Sequence, residues 1–97
     1  MNLPFNDQPI EVLIDQNLLH EGTVLDLRLK YIGDNGLGFL SNCAKLVGLR
    51  ELKLERNDIT EKGAQILAES TILTGIKSLN LERNSIGDEG VRSIALS

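Results

Sequence analysis

Cys43 and His20 are the chain's single thiol and single imidazole, the pair that a nucleophilic mechanism would draw on. A thiolate needs a base to take its proton and a third group to orient that base. No such third group and no oxyanion-hole motif accompany these two residues. One Cys and one His are also too few for a metal site. The glycines of Gly33-Asp34-Asn35-Gly36-Leu37-Gly38 have the look of a phosphate loop, but no lysine follows in the position that would reach a phosphate. The expectation is therefore a protein that is not an enzyme, with no catalytic residue, no metal and no cofactor. A lone cysteine forms no intrachain disulfide and fits a reducing compartment.

The charged residues are better organised. Residues 49–68 read LRELKLERNDITEKGAQILA and residues 76–95 read IKSLNLERNSIGDEGVRSIA, an offset of 27. Leu52 matches Leu79, Leu54 matches Leu81, Asn57 matches Asn84, Ile59 matches Ile86 and Gly63 matches Gly90. One step back, Leu25, Leu27, Ile32, Gly36, Leu37 and Leu40 hold the same positions, with Lys30 in place of the Asn. One more step reaches Phe5, Asp7, Ile10, Leu13 and Ile14. The chain is thus one domain over 1–97, about three and a half repeats of 27 residues.

Each repeat holds two periods. Leu52-Lys53-Leu54 and Leu79-Asn80-Leu81 alternate as half-buried strands do. The stretch after each Asn has helical spacing, with acids at its start and, at Thr60, a capping residue. Gly48 and Gly75 suit helix-ending turns. The pattern predicts helices at 7–19, 34–46, 61–72 and 88–96 and strands at 24–28, 51–55 and 78–82. The fold class is α/β, three parallel strands with all helices on one side. The helix at 7–19 would be a partial cap; its acids Asp7, Glu11 and Asp15 line one face, read as solvated.

The Leu-x-x-Leu-x-Leu-x-x-Asn-x-Ile of residues 49–59, its counterpart at 76–86 and the helical segment after each resemble the leucine-rich-repeat superfamily, in its ribonuclease-inhibitor-like class. That resemblance implies a solenoid, here a short horseshoe segment, that binds a protein partner on its concave sheet face. In this sequence the strand residues facing away from the helices are Asp26, Arg28, Glu51, Lys53, Glu55, Arg56, Asn80, Glu82 and Arg83, with Val24, Leu29 and Ser78 between them. Four acids and four bases make this face neutral in sum, and matching positions form columns about 4.8 Å apart. Asn57 and Asn84, where the strands turn away, read as structural: a recurring amide satisfies loop backbone groups that lack a ladder partner.

Composition narrows the partner. A net charge of −4 argues against nucleic acid, which demands a basic stripe. No polybasic run or long apolar stretch suggests a membrane, and no signal peptide is visible at the first residues, so the expected location is cytoplasmic. The same superfamily includes adaptors and bacterial effectors delivered into host cells, so a piece of a longer protein of either kind is an alternative. A second alternative is a self-associating structural unit: nothing in residues 1–21 reads as a strand beside 24–28, which would leave a bare sheet edge open to homo-oligomers.

Overall fold

A computed structural model of the chain describes residues 9–86. Three repeat strands appear, β2 (Val24–Asp26), β3 (Glu51–Lys53) and β4 (Ser78–Asn80), preceded by a short strand β1 (Leu18–Leu19). The sheet order is β1-β2-β3-β4. β2 to β4 are parallel with Leu25, Leu52 and Leu79 in register, the 27-residue offset of the sequence made spatial. Single backbone bonds carry the pairing past the strands: Leu27 and Leu29 donate to Lys53 and Glu55, and Leu54 and Arg56 to Asn80 and Glu82.

Among the described residues, three α-helices accompany the sheet: α1 (Ile10–Asn17), α2 (Gly33–Leu40) and α3 (Glu61–Glu69). Leu13 and Ile14 of α1, Leu37 and Leu40 of α2, and Ala64 and Leu67 of α3 join one core with the inward strand residues Leu25, Leu27, Leu52 and Leu54. Val24, Asp26, Glu51, Lys53 and Asn80 stay partly exposed on the opposite side. The alternation predicted from Leu-x-Leu thus becomes a sheet with one buried and one open face.

α2 and α3 touch closely, and glycine is the reason. A Cβ on Gly63 would strike Oδ1 of Asp34 and come within 2.7 Å of the Ile59 side chain. Gly36, by contrast, makes room within its own repeat, where a Cβ would meet the side chain of Ile32 at the start of α2 at 2.6 Å. Asp34, in the first turn of α2, accepts from the Thr60 amide at 2.9 Å and from its hydroxyl at 2.6 Å. Thr60 in turn caps α3 by accepting from the Lys62 amide at 3.2 Å.

Several expectations change. Among the described residues the sheet has four strands, not three, because Leu18–Leu19 turns back and pairs antiparallel with Val24–Leu25. The edge beside β2 is therefore covered. The turn that allows it holds His20, Glu21 and Gly22 at φ of 52, 57 and 85°, tightened by the Thr23 hydroxyl donating to the His20 carbonyl at 2.8 Å. The helices predicted over 34–46 and 61–72 are shorter. α2 ends where Ser41 and Asn42 side chains both bond the Gly38 carbonyl, competing with the helical ladder, and 3₁₀ turns follow at Ala44–Leu46 and Leu73–Gly75. Gly48 and Gly75 thus serve 3₁₀ turns and adopt no left-handed φ. The strands stop two residues early, at Asp26, Lys53 and Asn80, past which only single backbone bonds continue until residues 29, 56 and 83 turn the chain away at φ of 60, 54 and 60°. The helix predicted at 88–96, with Asp7 of the first helix, lies outside the described residues.

Candidate sheet-face interface

The open face is built by the register. Val24, Glu51 and Ser78 form one column and Asp26, Lys53 and Asn80 the next. The ion pairs on this face run along the strands, because side chains two apart on a strand share a face. Arg28 grips Asp26 with two hydrogen bonds, 2.9 and 2.7 Å, and Lys53 lies 3.7 Å from Glu51. Across strands, the Asn80 amide donates to Glu55 at 3.1 Å. The Arg28 guanidinium holds the Asp26 carboxyl below its ordinary range, against partial burial that pushes it up, with a smaller pull from Lys53.

Where the strands end, charge separates. Asp26, Arg28, Leu29, Lys30, Glu55, Arg56 and Arg83 line a shallow hollow of about 370 Å³ with Asn17. Arg56 and Arg83 also border the adjoining hollow, with Tyr31 and Asp58. Among the described residues the ion pairs are Arg28–Asp26, Lys45–Asp15 and Lys53–Glu51. Both carboxylates of the first hollow are hydrogen-bonded, Asp26 to Arg28 and Glu55 to Asn80, while Lys30, Arg56 and Arg83 enter no ion pair with a described residue. The nine face residues named from sequence therefore fall into two groups. Asp26, Glu51, Lys53 and Asn80 lie on the strands, and Arg28, Glu55, Glu82, Arg56 and Arg83 just past their carboxyl ends, where Glu82 is exposed. Sequence reasoning omitted Lys30, whose departure from the Asn of the other repeats is the signal that marks it.

The asparagines are structural in a specific way. Asn57 is fully buried; its amide donates to the Leu27 and Glu55 carbonyls at 2.8 and 3.1 Å, and its oxygen accepts from the Ile32 amide at 3.2 Å. Asn84 donates to Leu54 and Leu81 at 2.8 and 3.0 Å and accepts from the Asn57 and Ile59 amides at 2.8 and 3.0 Å. Each thus stitches its own strand exit to the loop of the preceding repeat.

Cys43 and His20 do not meet chemically: no hydrogen bond joins them, the thiol packs half-buried against the core, and the imidazole sits exposed in the β1–β2 turn. Ser70, the repeat equivalent of Cys43, instead donates to the Ser41 carbonyl at 2.8 Å and accepts from the Ile72 and Leu73 amides. On the acidic face of α1, Asp15 pairs with Lys45 at 2.8 Å, both side chains well exposed. Among the described residues, no group of three or more His, Cys, Asp or Glu could hold a metal ion, and no helix is long and apolar enough to cross a membrane.

The Leucine Rich repeat family model matches residues 49–68 and 74–95. These two stretches, which carry β3, most of α3 and β4, are similar to leucine-rich repeats, motifs that generally mediate protein–protein interaction. No curated protein matches the chain.

Proposed function

We propose that the chain is a protein-interaction module, acting without catalysis, that binds a partner on the face of β2–β4 turned away from the helices. The observation that carries this reading is the open row of polar side chains, Asp26, Lys53 and Asn80 flanked by Glu51 and Ser78, which no helix covers among the described residues. A regular ladder of different side chains on a rigid sheet offers a partner a fixed pattern of donors, acceptors and charge. The finer assignment is a ribonuclease-inhibitor-like horseshoe segment spanning 1–97, cytoplasmic, with no nucleic acid or membrane partner. It rests on the repeat motif and charge balance. An adaptor and a translocated effector fit it equally, as does a piece of a longer repeat protein.

A photo-crosslinking residue placed at position 80, compared with one at the exposed Gln65 of α3, tests the face. Capture of one protein through position 80 but not through 65 is the expected result. Equal capture at both would reject the sheet face. A second reading, pairing of two copies through bare sheet edges, loses the β2 edge to β1. Its remaining places are the outer sides of the two-residue β1 and of β4, each with one strand partner among the described residues.

A further inference from the structure

We infer that the rim at the carboxyl ends of β2–β4 binds an acidic peptide segment of the partner, gripped by Arg56, Arg83 and Lys30 with an apolar side chain of the peptide set on Leu29. The proposal deepens the sheet-face reading and rests on it. Its first support is an inversion of charge. The chain carries −4 overall, yet the hollow at this rim is lined by Arg28, Lys30, Arg56 and Arg83 against Asp26 and Glu55. Both of those carboxylates are already engaged, Asp26 by two bonds from Arg28 and Glu55 by Asn80. Asp58 borders the same arginines in the adjoining hollow but forms no ion pair with them.

The second support is the column itself. Backbone bonding of Leu29 to Glu55 and of Arg56 to Glu82 places 29, 56 and 83 side by side on successive repeats. Like charges on neighbouring strands repel. Arg56 and Arg83 border the same two hollows and form no ion pair among the described residues, an arrangement that a bound carboxylate would relieve. Arginine's planar fork suits carboxylates in two-bond geometry. The third support is apolar: Leu29 is 53% exposed at the head of that column, and Tyr31, 45% exposed, borders the adjoining hollow. A surface of cations beside exposed apolar groups fits a peptide that carries both carboxylates and an apolar residue. A bare anion would leave Leu29 uncovered.

A labelled, glutamate-rich synthetic peptide containing one leucine, titrated into the whole chain by fluorescence anisotropy, tests this. Binding should weaken as salt rises. It should fall about tenfold or more in Arg56→Glu/Arg83→Glu, and less in Leu29→Asn, a residue that tolerates a left-handed φ. Lys62→Glu/Lys77→Glu, with the same change in net charge away from the rim, should leave binding unchanged. Circular dichroism melts verify that each variant is folded, and Arg56→Gln/Arg83→Gln repeats the test without added repulsion. Equal loss in both charge-reversed pairs would overturn the proposal. So would tighter binding of an oligonucleotide of equal charge, or full competition by inorganic phosphate at matched ionic strength. Failure here with capture through position 80 intact would reject the acidic partner alone; failure of that capture would reject the sheet-face reading itself.

Discussion

Asn57 and Asn84 occupy equivalent places, yet their surroundings give them different weights. Asn57 is fully buried, so Asn57→Ala leaves the Leu27 carbonyl and Ile32 amide short of partners where water has no access, at a cost of about 1–3 kcal/mol. Asn84 makes more side-chain bonds, five against three, but it is only partly buried, and water can replace some of them. Thermal or urea unfolding of Asn57→Ala and Asn84→Ala should therefore rank the first as the more damaging; the reverse order would mean that bond number outweighs burial. Asp26 adds a pH dependence of known sign. Its folded pKa lies below the unfolded value, chiefly through Arg28. Its contribution is thus present above the unfolded value of about 3.9 and lost as pH falls through the folded one. Asp26→Asn should flatten the acid limb of a stability–pH curve, and an unaltered limb would show that the exposed pair contributes nothing. Cys43, half-buried against the core and without a chemical partner, should tolerate Cys43→Ala with binding intact.

At the scale of elements, the closeness of α2 and α3 depends on a missing side chain. Gly63→Ala would drive a methyl group into Asp34 and Ile59, and Asp34 cannot swing away without giving up the Thr60 amide and hydroxyl. Overpacking of this kind costs about 1–3 kcal/mol, against the small gain expected for Ala over Gly in a helix. Gly63→Ala should therefore lower the melting temperature, and a rise would mean that the helices separate freely. Asp34→Ala combined with Gly63→Ala should lose less than the two changes summed, since the deletion makes room for the insertion.

For the molecule as a whole, the question is what keeps parallel strands from recruiting further copies. β1 answers it at one side: a two-residue strand folded back over β2 covers donors and acceptors that would otherwise be open. Leu19→Pro removes a backbone donor from that strand. Sedimentation across a range of concentrations should show this variant associating more than the parent chain, whereas identical behaviour would mean that β1 is not the guard of that edge.

The repeat period, the strand positions, the inward leucines and the structural role of the asparagines were legible because each is a local pattern multiplied by 27 residues. Leu25, Leu52 and Leu79 must stack once their neighbours do. β1 was not legible, since Leu18 and Leu19 continue the helical pattern of α1 and only pairing with Val24 and Leu25 makes them a strand. The need for glycine at 63 was equally hidden, although its recurrence was visible: it is set by how near Asp34 of the previous repeat comes. The charge of the face illustrates the same division. Counting residues makes it neutral. The tertiary structure bonds Asp26 to Arg28 and Glu55 to Asn80, and gathers Arg28, Lys30, Arg56 and Arg83 around one hollow that holds only those two carboxylates, a local excess of positive charge within a balanced sum. Distance decides electrostatics, and a one-dimensional count carries no distances.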